Sequence, residues 1–443
     1  MKTINGSDFD EYWKNNSIDH ENDNTEKTVK EIIEAVRREG DKAIRRYASM
    51  FDRSSPETLE VPAKKIIDAM RDLETNDAAL AKALRFSAEN IRCFSHKQRE
   101  QFKDFEIENT PGLFTGQMVI PVDSAGVYIP GGRFPLISSA LMCLIPAFCA
   151  GVENVCLASP PGDDGIIDKR ILGTAGIAAD VCGRLEKGFR AFSVGGAQAI
   201  AALALGTETI PRCDVVAGPG NKYVAATKRE IYGKAGIDFI AGPSDILVIM
   251  DEVAPNYDLA AVDMLAQAEH DIDARARALV PSQAAAQRLT EAISHRLEKF
   301  TAGDIPGNNT SQLSIEAGGL IIIYKDQNEA QKIANAIAPE HLELQVANPK
   351  DWIPGLKNFG SLFIGELSAE VLGDYSSGLN HTLPTSGSAR FTGGLSVRHF
   401  LKTPTTLRCE KAAGLSAALE AAVTMARAEG LVNHAESAKI RLT

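Results

Sequence analysis

The sequence predicts an α/β protein with two parallel-sheet units, an N-terminal helical arm and a C-terminal helical tail. From about residue 125, apolar strand-like runs alternate with runs of helical period, the pattern of β-α units on a parallel sheet. A second series of the same kind begins at Asp245. At 443 residues the chain is long enough for two to four domains, taking roughly 150 residues for each.

In chain order, the first 25 residues are polar and rich in Asn and Asp, which predicts an arm that folds only against another surface. Between residues 26 and 105, Val29, Ile32, Ile33, Val36, Ile44 and Tyr47 recur at helical spacing with charges between them. Strand-like runs follow at Ala125–Ile129, Asn154–Ala158, Phe189–Val194 and Val215–Ala217, with helices starting near Ile137, Ile166, Ala197 and Asn221. The second series comprises the strand Asp245–Met250, a helix over 257–270, a strand Ala276–Val280, a helix Gln283–Phe300 and a strand Leu320–Tyr324. A last helical run, Leu415–Ala428, is closed by Gly430.

The composition narrows the function. With 44% hydrophobic and 24% charged residues the chain is of ordinary globular type, neither disordered nor fibrous. A net charge of −11 argues against a general binder of nucleic acid or anionic membranes. Phe134–Ala150 is the most apolar stretch, but Ser138, Ser139 and Pro146 interrupt it, and it is shorter than a membrane span of about 20 residues. The N-terminus lacks the basic start and apolar run of a signal peptide. Seven scattered cysteines with no C-x-x-C pair make a disulfide framework or thiolate zinc site an unsuitable reading, and a reducing cytoplasm is the simplest setting.

Four glycine-rich junctions follow strands: residues 128–132, 194–198, 217–221 and 241–244. Glycine lets backbone N–H groups approach a nucleotide, and the helix start that follows adds a positive dipole end. Any one junction alone reads first as a tight turn, whereas four together favour a nucleotide. None completes G-x-G-x-x-G, because Gly218-Pro219-Gly220 lacks the third glycine.

Among the eight histidines, His20, His96 and His295 read as surface residues and His399 is ambiguous. Gln267 and His270 stand three apart on a predicted helix and can reach one ion, although a polar i, i+3 pair is by default a solvated face. Glu340-His341 at an element boundary can supply a water-activating carboxylate and a base for an alcohol proton; the alternative is a surface dipeptide. Asp374 and His381 share the long loop 373–385, and loops of that length are often functional. Glu429 and His434 close the terminal helix. Together Gln267, His270, Asp374 and His434 offer two imidazoles, a carboxylate and an amide oxygen, a set that suits Zn²⁺ or a similar divalent ion.

These motifs, in this order over essentially the whole chain, resemble the histidinol dehydrogenase family. The matching stretches are GVYIPGG (126–132), GGAQAIAALALGTETIP (195–211), GPGN (218–221), AGPSD (241–245), QAEHD (267–271), APEHLEL (338–344), GDYSSGLNHTLPT (373–385) and EGLVNHA (429–435). The resemblance implies oxidation of L-histidinol to L-histidine with two NAD⁺ and one water, through a bound aldehyde. It implies one Zn²⁺ per subunit on Gln267, His270, Asp374 and His434, His341 as the general base, and Glu340 as the residue that activates water. Ser244, His381 and Glu429 look like substrate contacts, with Gln267, His270, His341, Asp374 and His434 also facing the substrate; Tyr128, Gln198 and Asn221 look like NAD contacts. It further implies two incomplete Rossmann-like domains in a homodimer, with Glu429 and His434 acting in the partner's site. The expected division is an arm 1–25, a catalytic domain 26–127 plus 245–393, an NAD-binding domain 128–244 and a tail 394–443.

Three stretches, 360–363, 392–395 and 400–403, are also similar to a sister group of zinc- and NAD-dependent alcohol dehydrogenases that includes sulfopropanediol dehydrogenase. Phe134 stands where the biosynthetic enzyme commonly has alanine. The alternatives are therefore another small primary alcohol as substrate or, in a different class, a non-catalytic metal- or nucleotide-binding protein. Intact Glu340-His341 and the intact ligand set count against the last.

Overall fold

The computed structural model describes residues 1–16, 23–131, 135–240, 242–253, 256–302 and 309–442. His20, Gly132, Phe134 and Ala241 lie outside the described residues. The architecture is α/β and is built on two six-stranded sheets. The first runs Lys2–Asn5, Leu320–Ile323, Arg275–Val280, Asp245–Met250, His341–Gln345, Ser361–Ile364, parallel throughout. The second runs Gly236–Ile237, Val215–Ala217, Ser124–Tyr128, Asn154–Ser159, Phe189–Ser193, Glu60–Val61, with only the last strand antiparallel.

The strands read as continuous apolar runs because helices cover both faces. Every residue of Asp245–Met250 and of His341–Gln345 is buried. In the first sheet one face packs on helices Tyr257–Ala268, Gln283–Ala302 and Thr310–Gly318 through Ile246, Val248, Met264, Leu289 and Ile315. The other face packs on helix Gln327–Ile337 through Leu247, Ile249, Ile333 and Ile337.

Two expectations need correction. The N-terminal segment is not an arm awaiting another surface, since Lys2–Asn5 extends the first sheet beside Leu320–Ile323 and Phe9 is 2% exposed in that sheet's core. The helices Asp23–Glu39, Asp41–Phe51, Ala63–Asn76 and Ala78–Arg99 were expected with residues 245–393, yet they pack on the second sheet. For Ala63–Asn76, glycines on helix Lys169–Val181 allow the docking: a Cβ on Gly173 would lie 2.4 Å from Leu73 and one on Gly176 3.0 Å from Met70, so these two helices approach more closely than larger residues allow. The tail is also partly tied in, because Thr405–Cys409 forms an antiparallel sheet with Leu113–Gln117 and Phe105–Thr110. Helices Ala413–Ala428 and Val432–Lys439 then pack chiefly on each other.

If the N-terminus is part of the core, Phe9→Ala is expected to lower unfolding free energy by about 3 kcal/mol in urea titrations. An unattached arm would leave the midpoint unchanged.

Candidate active site

Glu340 and His341 sit where strand His341–Gln345 begins, in the interior of the first sheet and at its amino edge. They are 4% and 3% exposed, which rules out the surface-dipeptide reading. A reciprocal clasp holds them to the next strand: the Asp245 N–H donates to Glu340 Oε2 at 3.0 Å, and the Glu340 N–H donates to Asp245 Oδ1 at 3.0 Å. Arg277 meets the other Asp245 oxygen at 2.8 Å. His341 Nδ1 lies 3.3 Å from the Asp245 carbonyl. A carbonyl only accepts, so Nδ1 carries the proton and Nε2 is directed to the site.

Helix Tyr257–Ala268 follows strand Asp245–Met250 and runs back along it, so its C-terminal end returns to the amino edge where His341 lies. Asn256 caps its start by accepting from Leu259 N–H, and Ala260, Ala261, Met264 and Ala268 are buried along it. This brings fully buried Gln267 and exposed His270 to the site. The short helix Glu370–Tyr375 follows strand Ser361–Ile364 and supplies Glu370 and Asp374, four residues apart and both buried. Asp374 oxygens lie 3.5 Å from His341 Nε2 and 3.8 Å from His270 Nε2.

Among the described residues, His270, Glu370 and Asp374 present ligand atoms all within 4.8 Å of one another. Both side-chain polar atoms of Gln267, both carboxylate oxygens of Glu370, Asp374 Oδ1 and His341 Nε2 are buried without a hydrogen-bond partner. Partnerless buried oxygens are costly. Oxygen and imidazole donors gathered in this way suit a divalent cation such as zinc, so Gln267, His270 and Asp374 fit the expected metal. Glu370 was missed at the sequence level; its signal was the i, i+4 spacing from Asp374. His434 and Glu429 lie exposed on the tail helices, and His434 is not part of this cluster.

The electrostatics agree. Burial pushes the Glu340 carboxyl up to about 8, and Glu370 is raised well above the carboxylate range by the same cause. Burial disfavours the charged His341 ring, yet Glu370, Glu340 and Asp374 outweigh it and push the pKa up to about 10. Burial likewise opposes charge on Asp374, but neighbouring His341 lowers its pKa. A cation among these carboxylates would neutralise the charges that keep His341 protonated, and so free it to act as a base.

The loop after Asp374 joins this site to the second sheet. His381 accepts or donates at Ser139 Oγ (3.0 Å), and its other ring nitrogen lies 3.1 Å from the Asp374 carbonyl; burial lowers its pKa. Asn380 Nδ2 donates to the Met142 carbonyl at 2.6 Å, Asn90 Nδ2 donates to the Ser376 carbonyl at 2.8 Å, and Gly242 N–H donates to Thr385 Oγ1. Ser244 is half-buried just before Asp245.

The expected nucleotide contacts lie at the carboxyl edge of the second sheet, where open α/β sheets place ligands. Tyr128 ends its strand, Gln198 follows Phe189–Ser193 and Asn221 follows Val215–Ala217. The Tyr128 hydroxyl accepts from Gly196 N–H at 3.1 Å, and Asn221 Oδ1 caps helix Lys222–Ile231. Gly218 has φ +118°, and a Cβ there would lie 2.1 Å from the Tyr128 carbonyl, so only glycine lets these two junctions meet.

The family described as "Histidinol dehydrogenase" matches residues 15–442. The chain belongs to the histidinol dehydrogenase family. Histidinol dehydrogenases of Aquifex aeolicus and Thermus thermophilus are each 42% identical to it over 94% of the chain, covering 92% and 94% of their own lengths. The crystal structure of histidinol dehydrogenase from Elizabethkingia anophelis superposes with a TM-score of 0.88 at 32% identity, covering 100% of this chain and 98% of that one. As a histidinol dehydrogenase family member the chain is an oxidoreductase acting on CH–OH donors. Among the described residues no helix is long and apolar enough to cross a membrane, and all seven cysteines are free.

The raised pKa values give a pH dependence with one sign. Glu340 is raised from its ordinary 4.5 and His341 from 6.5, so each contributes stability at low pH that is lost as pH rises through its folded value. Metal-free protein is therefore expected to lose stability progressively from about pH 5 to 10, while added zinc protects increasingly across that range because its ligands must be deprotonated. Urea midpoints measured with and without zinc check this; metal-free stability that rises over the interval contradicts it.

Proposed function

We propose that this chain oxidises L-histidinol to L-histidine through a bound aldehyde, using two NAD⁺, one water and one zinc ion per subunit. The observation that carries the reading is the buried Glu340–His341 pair beside the partnerless polar atoms of Gln267, Glu370 and Asp374. Relatives at 42% identity that bear the histidinol dehydrogenase name support histidinol over another primary alcohol.

Gln267, His270 and Asp374 would hold the zinc, and His434 from a second copy of the chain would complete the set. The exposed position of His434 and Glu429 on tail helices that pack chiefly on each other supports a homodimer in which the tail serves the partner's site. When bound, zinc supplies a Lewis-acidic anchor for the substrate's nitrogen atoms and so fixes the alcohol carbon. Tyr128, Gln198 and Asn221 would hold NAD⁺, which would supply the hydride acceptor.

His341 Nε2 takes the hydroxyl proton while hydride leaves the same carbon, giving the aldehyde. Its Nδ1–H bond to the Asp245 carbonyl fixes the ring in the orientation this needs. Glu340 then takes a proton from the water that adds to the aldehyde, and its carboxyl, held near 8, is poised for transfer near neutrality. As the water adds, protonated His341 returns its proton to the former carbonyl oxygen, giving the hydrate; neutral again, His341 takes a hydrate hydroxyl proton as the second hydride leaves that carbon, giving the acid. Ser244, His381 and Glu429 contact the substrate.

Purified zinc-loaded protein given NAD⁺ and L-histidinol is expected to form two NADH per histidinol, with L-histidine as product. His341→Ala is expected to lower kcat by about 10²–10⁴-fold. If histidinol is inert and another primary alcohol is converted to its acid, the substrate assignment fails; if no alcohol reduces NAD⁺, the dehydrogenase reading fails.

A further inference from the structure

The junction at Gly195–Gln198 carries a carboxylate that the reaction above does not use. Asp52 follows helix Asp41–Phe51, whose last turn its N–H closes by donating to the Ala48 carbonyl at 2.9 Å. Its side chain crosses to the second sheet's carboxyl edge, where it accepts from Gln198 Nε2 at 3.3 Å and from the Gly195 backbone N–H. The approach is close: a Cβ on Gly195 would lie 2.5 Å from Asp52 Oδ1. Gln198 is 1% exposed, so this amide is held in one orientation.

The start of helix Gly196–Leu205 is the place where many α/β folds seat a phosphate. Here the Gly195 N–H is given to Asp52 and the Gly196 N–H to the Tyr128 hydroxyl. A phosphate at this position would lose both donors and face a carboxylate. A ribose diol would not, because an ionised carboxylate has roughly four acceptor positions and Asp52 uses two. Nearby, Ser159 Oγ is fully buried with no hydrogen-bond partner among the described residues, and it borders Gly131 (3.3 Å from a Cβ built there) while adjacent Pro160 borders Gly195 (2.7 Å). That hydroxyl also suits a neutral, hydroxylated ligand.

We infer that Asp52 sets nucleotide choice, accepting from a ribose hydroxyl of NAD⁺ and excluding nucleotides with a 2′-phosphate through like-charge repulsion. The inference rests on the reading of this edge as the nucleotide site. Opposing like charges at a binding surface is a general route to rejecting a close analogue.

The test is binding of NAD⁺ and NADP⁺ to the full-length zinc-loaded protein by calorimetry, with and without Asp52→Asn, a variant that keeps an acceptor for Gly195 and removes the charge. Wild-type protein is expected to bind NAD⁺ at least about tenfold more tightly than NADP⁺, and Asp52→Asn to narrow that gap by about tenfold. No gap in the wild type overturns the inference, and that arm stands even if the variant does not fold. A folded variant that weakens both nucleotides equally, with the gap unchanged, also overturns it and reduces Asp52 to a support for Gln198, leaving the nucleotide site in place. If wild type binds neither nucleotide, the site reading falls and the inference falls with it.

Discussion

The structure depends on a concentration of buried negative charge. Asp245, Asp263, Glu340, Glu343, Glu370 and Asp374 are all buried in or beside the strands Asp245–Met250 and His341–Gln345, with Arg277 and His341 as the basic groups in contact with them. Isolated carboxylates do not persist in such a place; they are paired, protonated or bound to a cation. The first two are present, and the third has its candidate ligands. Asp245 pairs with Arg277, Glu343 is pushed up to about 8 by burial beside Gln345 and the Glu370 N–H, and Glu370 and Asp374 turn partnerless oxygens toward His270. The fold thus concentrates an unmet electrostatic demand at one place, of the kind a divalent ion would meet.

The two sheets divide the chemistry by using opposite edges. Acid–base and metal-capable groups occupy the amino edge of the first sheet, brought there because the helices that return from its strands end beside the start of the next. The nucleotide-type junctions occupy the carboxyl edge of the second. Loop 376–385 bonds to both through His381, Asn380 and Thr385, so one segment sets the spacing between the two edges. Side chains of that loop hold it to helix Ile137–Ala150 and to Gly242.

Much of this was legible because the signals were local. Glu340 and His341 are adjacent, Gln267 and His270 are three residues apart although the helix ends at Ala268 between them, and the apolar runs marked inner strands of both sheets but not the edge strands Lys2–Asn5, Ser361–Ile364, Gly236–Ile237 and Glu60–Val61. Glu370 was hidden because a six-residue helix has too little periodicity to announce a face. Asp245 stood in plain view within a quoted motif, but its role depends on Glu340, 95 residues away. The helices between 23 and 99 showed that they had buried faces without showing which sheet those faces met; for Ala63–Asn76 the close approach depends on Gly173 and Gly176 of another helix. The antiparallel strands were missed for another reason: Phe105–Thr110 and Thr405–Cys409 are short and exposed along their whole length, with no continuous apolar run to mark them.

The central claim is that the carboxylate-rich amino edge of the first sheet is a zinc site facing a nucleotide edge. A zinc-edge anomalous map from crystals of the zinc-loaded protein tests it most directly. The account predicts one strong peak per subunit within bonding distance of Gln267, His270 and Asp374, with a tail from a second copy approaching it. A peak elsewhere, or none at full zinc occupancy, would contradict it.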